Sequence, residues 1–195
     1  MARPDRQHDQ DSDPPRTAVP PDQPASGTRP VAVPHFVLHS PDLLEGETVR
    51  SAQLFNGMGC SGQNISPALE WSGAPAATKS FAVTLYDPDA PTGSGWWHWV
   101  MFNIPANVSR LPAGAGDPAR QWMPGVTQGI TDFGKPGYGG PCPPEGDPPH
   151  QYIFTVHALD VEKLDVPENA TAAFIGFHIH GHRLGSAVLS GRYGR

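Results

Sequence analysis

The sequence predicts a mainly β domain closed by one C-terminal helix, and three observations carry that expectation. Five short segments, "HFVLHS", "ISPALEW", "KSFAVTLYD", "HWVMFNIP" and "QYIFTVHAL", are rich in β-branched and aromatic residues and bounded by Gly, Pro, Asn or Asp. No helix-length apolar pattern lies between them, which disfavours βαβ crossovers and favours antiparallel pairing. A single stripe at three- and four-residue steps appears only near the end of the chain.

In chain order, residues 1–31 come first and read as a disordered, Pro-rich tail. They hold no aromatic residue, and only Val19 and Val31 among branched apolar side chains, too little to offset the entropy of ordering. Residues 32–195 form the folded domain. Phe81, Val83 and Leu85 alternate with Ala82, Thr84 and Tyr86, as on a strand with one face more buried. The same period places Trp97 and Trp99 on one face of their strand and His98 on the other, beside Trp96 and Val100. Tyr152, Phe154 and Val156 repeat the alternation. Between them, residues 111–149 carry Gly or Pro at almost every third position, with Trp122, Met123, Phe133 and Tyr138 as anchors. This long segment is expected to pack as a loop over a site. The helix is expected from an Asn169 N-cap, with Ala173, Phe174, Phe177, Gly181, Leu184, Gly185 and Val188 facing the sheet. "SGRYGR" then leaves it as a closing turn or edge strand.

Composition removes several function classes. The net charge of −6 argues against nucleic-acid binding, which needs a basic surface to displace counterions. No apolar run is long enough for a transmembrane segment, and the N-terminus lacks the apolar block of a secretory signal. The expected location is cytoplasmic, with Cys60 and Cys142 expected as reduced thiols. Nothing in the sequence asks for a cofactor. His178, His180 and His182 of "HIHGH" lack an acidic or cysteine partner nearby, so no metal is expected there. Cys142, between two prolines, shows no helix N-terminus that would activate it as a nucleophile.

The chemistry-bearing residues concentrate in two motifs. "DPDAPTGSGWWHW" carries Asp87 and Asp89 at a strand end and His98 eleven residues beyond Asp87. "GYGGPCPP" leads into "HQYIFTVHAL", where His150 and Tyr152 share one strand face. Asp87 and Asp89 read either as turn residues bonding nearby backbone N–H groups or as a paired general acid and base.

These motifs, supported by "GQNISPALEW", resemble the signature of the phosphatidylethanolamine-binding protein family, most closely its bacterial Raf kinase inhibitor-like branch. The resemblance covers about Pro34 to Arg195. It implies a large antiparallel sheet packed with a smaller one, a C-terminal helix, and a small anion pocket at one end of the sheet. It maps the pocket onto Asp87, Asp89, His98, Gly140, Pro141, Pro143, His150 and Tyr152. The implied function is non-enzymatic binding of a phosphate-type or zwitterionic ligand such as phosphoethanolamine, with regulation or inhibition of an unidentified kinase or protease partner. Only Thr92, Gly93, Ser94 and Gly95 bridge the two halves of the first motif, where eukaryotic members carry an insertion, so kinase inhibition itself is not carried over. A homodimer is compatible with the sequence. The alternative is a hydrolase using Asp87, Asp89 and His98 for acid–base chemistry.

Phosphate needs donors, and His98, His150 and the Tyr152 hydroxyl can supply them. A carboxylate behind an imidazole would fix its tautomer. Tighter binding below an unperturbed histidine pKa near 6.5 is therefore expected.

Overall fold

The computed structural model describes residues 35–195. The predicted disordered tail lies outside the described residues. Strand β1 spans Val37–His39, β2 Asn56–Gly57, β3 Cys60–Ser61, β4 Leu69–Ser72, β5 Ser80–Asp87, β6 Trp96–Pro105 and β7 Arg110–Leu111. Strand β8 spans Thr127–Gln128, β9 His150–Leu159, helix α1 Ala172–His182 and β10 Arg183–Tyr193. All named strand pairs are antiparallel. They form a five-stranded sheet in the order β10-β9-β5-β6-β8, a three-stranded sheet in the order β1-β4-β7, and a hairpin of β2 and β3. The expected large and small sheets are both present.

The two sheets pack face to face around the main core. Leu38, Leu69 and Trp71 of the small sheet meet the side of the large sheet that carries Phe81, Val83, Leu85, Phe154, Val156 and Leu189. Each such side chain contributes roughly 1.5–3 kcal/mol by leaving water. The other face of the large sheet carries Ala82, Val100, Phe102 and Leu159, and α1 covers these with Ala172, Ile175 and Ile179. Strand β5 is therefore buried on both faces, which is why its alternation in the sequence separates two cores rather than core from solvent.

The helix differs from its prediction in register and length. Thr171, not Asn169, is the N-cap, its hydroxyl accepting from the Phe174 N–H at 3.3 Å. The buried stripe is Ala172, Ile175 and Ile179, whereas Phe174 and Phe177 are 46% and 75% exposed. The chain turns extended at Arg183 and runs on as β10, so Leu184, Gly185 and Val188 belong to a strand. "SGRYGR" ends that strand, which forms the edge of the large sheet.

The 111–149 segment is less irregular than expected, since it begins at the last residue of β7 and contributes β8 to the large sheet. Its middle is laced to the edge of β6: Gly129 N–H donates to the Val100 carbonyl, Asp132 N–H to that of Trp97, and Gly139 N–H to that of His98. Cys60 and Cys142 form a disulfide, contrary to the expectation of reduced thiols. It ties the β2–β3 hairpin to this loop across 82 residues of sequence.

Candidate functional site

The site grows from the end of β5. Asp87 is the last residue of that strand, and the following "PDAP" turns the chain away. Asp87 Oδ1 accepts the Asp89 and Ala90 N–H groups at 2.9 and 3.1 Å, an Asx-type turn that fixes the carboxylate. Its other oxygen accepts Nδ1–H of His150, the first residue of β9, at 2.8 Å. Asp87 is thus both a turn residue and a site residue. Asp89 is exposed and accepts the Gln151 N–H at 2.7 Å, clamping the turn to β9. Asp87 lines a cavity, whereas Asp89 is not among the lining residues.

His98 enters through a β-bulge. Leu85 pairs with Trp99 and Tyr86 with Trp97, which leaves His98 as the extra residue of β6. The bulge resets the alternation. Trp99 joins the core between the sheets, while Trp97 packs on Tyr86 at 4.6 Å between ring centroids and against the helix-side cluster. Trp97 and Trp99 therefore lie on opposite faces, correcting the sequence expectation. His98 packs edge-on against Phe133 and Tyr152, with centroids 5.4 and 5.3 Å away. Gly95 makes the tight entry into β6 feasible, with φ of +68° and no room for a side chain against the Tyr86 hydroxyl.

A cavity of about 230 Å³ opens here, lined by Asp87, His98, Pro143, His150 and Tyr152 among the expected residues. Gly140 and Pro141 are not in its lining; they seat the loop behind it. A side chain at Gly140 would collide with the Gln53 carbonyl, its N–H donates to Asn64 Oδ1 at 2.8 Å, and the Pro141 carbonyl accepts from Phe55 N–H at 3.1 Å. The wall also contains Met58, Trp96, Phe133, Cys142 and Arg195, none of which the motifs had marked as ligand-binding. Trp96 could have been found from its shared face with His98. Arg195 could not, since it reaches the cavity only through the fold. Its guanidinium donates to the carbonyls of Pro143, Met58 and Gly59 at 2.7, 3.3 and 3.3 Å, bracing the hairpin against the loop.

The electrostatics differ from the expectation at one point. His98 Nδ1–H donates to the Gly139 carbonyl at 2.7 Å, and burial lowers its pKa to about 4 despite that bond and the nearby Asp87 charge. The ring is neutral through the range in which a free histidine titrates, so it cannot supply the expected gain in anion binding below pH 6.5. Burial, with a smaller contribution from Asp87, raises the Tyr152 hydroxyl far above its ordinary value, so it is a donor at all relevant pH. That hydroxyl lies near enough to Asp87 for both the charge and a loose side-chain hydrogen bond to act on it, whereas Trp96 Nε1 finds no partner among the described residues. His182 of the "HIHGH" run pairs with Asp160 at 2.9 Å on the far side of the sheet. Among the described residues no helix is long and apolar enough to cross a membrane.

Comparison with known proteins places this architecture. The family model described as phosphatidylethanolamine-binding protein matches residues 39–194. The UPF0098 protein YbhB of Escherichia coli K12 is 54% identical over 156 residues, which span 80% of this chain and 98% of YbhB. YbcL of the same organism is 48% identical over 159 residues, spanning 81% of this chain and 87% of YbcL. The crystal structure of E. coli YbcL, presented as a new member of the mammalian PEBP family, aligns with a TM-score of 0.80 at 47% identity. That alignment covers 82% of this chain and 98% of the solved one. A putative homologue from Chlamydia trachomatis aligns at 0.69 and 31% identity, over 83% of this chain and 99% of its own. Two packed antiparallel sheets, a histidine–aspartate cavity at the end of the larger one, and a match across most of the sequence establish that the chain belongs to the phosphatidylethanolamine-binding protein family.

Proposed function

We propose that the chain is a non-catalytic binding protein whose cavity receives a small phosphorylated or zwitterionic group. The observation that carries this reading is convergence. The end of β5, the bulge of β6, the start of β9 and Arg195 bring polar side chains to one cavity, and Cys142, Pro143 and Pro144 of the glycine-proline loop close its wall. Its volume of about 230 Å³ lies below the range of drug-sized ligand pockets, which suits a head group or phosphate ester rather than a whole lipid. Arg195 offers positive charge at the wall, Trp96 an unpartnered donor, and Tyr152 a hydroxyl held only loosely by Asp87. The family takes its name from phosphatidylethanolamine, and phosphoethanolamine is the matching head group.

Two features favour binding over turnover. Cys142, the cysteine that lines the cavity, is held in the disulfide, and Asp89 is engaged by the Gln151 backbone and is not among the lining residues. The same disulfide favours an oxidising compartment over the cytoplasmic placement expected from the sequence. Regulation of a protein partner fits this reading as a consequence of ligand occupancy.

Calorimetric titration with phosphoethanolamine, run beside a turnover assay on phosphate esters, tests the proposal. Saturable binding without turnover, lost in His150→Ala and kept in His35→Ala, is expected. Turnover abolished by Asp87→Asn would replace it with the hydrolase reading.

A further inference from the structure

The helix-side face of the large sheet holds a second cavity, of about 360 Å³, a size within the range of small-molecule sites. It shares no lining residue with the cavity around Asp87 and His150. Its floor is Thr84 of β5 with Thr155 and His157 of β9, on the face that also carries Ala82. Tyr86, Trp97 and Ile153 form an apolar wall, α1 overhangs with Gly176, and Arg183 stands where the helix ends.

Three observations show that this space is fitted for an occupant. Glycine weakens a helix interior relative to alanine, yet Gly176 sits inside α1. A Cβ there would touch only the Trp97 ring, at an ordinary contact distance of 3.9 Å, so close packing does not demand the glycine. A long side chain, by contrast, would extend into the cavity. His157 is buried in the floor with Nε2 3.1 Å from Thr84 Oγ1, while its Nδ1 has no partner among the described residues. Leaving a buried polar atom unmet costs more than an average hydrogen bond contributes, so its place beside an open cavity calls for an explanation. Arg183, finally, makes no ion pair with any of the described carboxylates, and no acidic residue lines the cavity although the chain carries a net charge of −6.

These features select the chemistry of the occupant. Tyr86 and Trp97, with ring centroids 4.6 Å apart, offer an aromatic surface. Arg183 offers one full positive charge. The helix ends beside it with the negative pole of its dipole, equivalent to about half a charge, so the local field favours one negative charge and opposes two. A phosphate dianion suits that field poorly, and a carboxylate carried on an aromatic body suits it well.

We propose that this cavity binds small aromatic monocarboxylates, the carboxylate meeting Arg183 and the ring lying against Trp97 beside Gly176. The site is independent of the reading given to the cavity around Asp87.

The test titrates the intact protein with phenylacetate by calorimetry at neutral pH. Phenylacetamide, which keeps the shape without the charge, and phenethylamine, which reverses the charge, are run beside it. Saturable binding of phenylacetate is expected, about tenfold or more tighter than either, the effect of one charge-assisted contact. Equal affinities for the three, or no binding of phenylacetate, would overturn the proposal. Gly176→Leu fills the cavity with a better helix former and is expected to abolish binding. Arg183 is exposed, so Arg183→Gln serves even where Gly176→Leu disturbs the helix; it is expected to remove the preference for the acid over the amide. Binding that survives Gly176→Leu, or that is lost in Arg195→Gln and kept in Arg183→Gln, would put the acid in the cavity around Asp87 and overturn the assignment.

Discussion

His150 Nδ1 lies 2.8 Å from Asp87 Oδ2, joining the first residue of β9 to the last residue of β5 across 63 positions of sequence. Both side chains are almost wholly buried, at 4% and 3% exposure. The contact orients an imidazole for the cavity and also closes the sheet end, since the same carboxylate caps its own turn through Asp89 and Ala90. Removing its charge should therefore affect binding and stability together. Asp87→Asn keeps the shape and one acceptor oxygen but loses the charge-assisted bond. We expect a loss of about 1.5–3 kcal/mol in urea unfolding, and loss of phosphoethanolamine binding by calorimetry.

Stability should depend on pH through two histidines that remain neutral. Burial lowers both His98 and His157 from 6.5 to about 4, with the Arg183 charge adding to the effect at His157. Between about pH 6.5 and 4 the unfolded chain binds protons that the folded chain refuses, so stability is fully present above that window and falls as pH drops through it. The slope approaches about 1.4 kcal/mol per pH unit for each histidine. Urea midpoints measured at several pH values should show this decline, and His157→Gln should remove about one proton's share of it. An unchanged slope in that variant would show that His157 does not contribute.

The fold was legible where one period governed a segment. Tyr152, Phe154 and Val156 announced β9 because their faces differ in burial, and the same motif pair located Asp87, His98 and His150. The reading failed where a local irregularity changed the period. The extra residue at His98 moved Trp99 across the sheet, and no pairwise pattern in "GWWHWV" encodes a bulge. The helix was misread for a different reason. Phe174 and Phe177 outweigh Ile175 and Ile179 in apolar area, yet the isoleucines face the sheet because Thr171 sets the start of the first turn. The disulfide and Arg195 were invisible, since each depends on tertiary placement of segments far apart in sequence.

That helix register can be tested by a matched pair. Ile175 is fully buried between α1 and the sheet, whereas Phe177 is 75% exposed. Ile175→Ala should cost about 2–5 kcal/mol through lost transfer energy and a cavity. Phe177→Ser should stay within about 0.5 kcal/mol. Thermal unfolding of both variants distinguishes the observed register from the one the sequence suggested, which would reverse the order.

Reduction should loosen the cavity before it unfolds the domain. Cys142 lines the cavity and its partner Cys60 sits on the β2–β3 hairpin, so the bond holds one wall to the other. A disulfide typically stabilises a domain by about 2–4 kcal/mol, and loop-closure entropy puts one of this span near the top of that range or slightly above it. Dithiothreitol treatment is expected to lower the melting temperature and to weaken phosphoethanolamine binding at temperatures where the protein is still folded. Full affinity in the reduced, folded protein would show that the hairpin position does not shape the site.

Arg195 brings the charge that the rest of the wall lacks. Burial keeps His98 neutral, so among the described residues that line the cavity the guanidinium is the permanent cation. It is exposed, and its donated bonds go to carbonyls at the rim. Replacement by glutamine should therefore weaken ligand binding and, to a smaller extent, the brace between hairpin and loop. We expect Arg195→Gln to lower affinity for phosphoethanolamine by about tenfold, the worth of one charge-assisted contact to an anion, with a loss of about 1 kcal/mol in urea stability from the bonds that brace the hairpin. The salt dependence of binding should flatten in parallel, because a charge-to-charge contact is screened and a neutral hydrogen bond is not. An affinity unchanged in Arg195→Gln would place the anion's partner among the buried donors, Trp96 and Tyr152, alone.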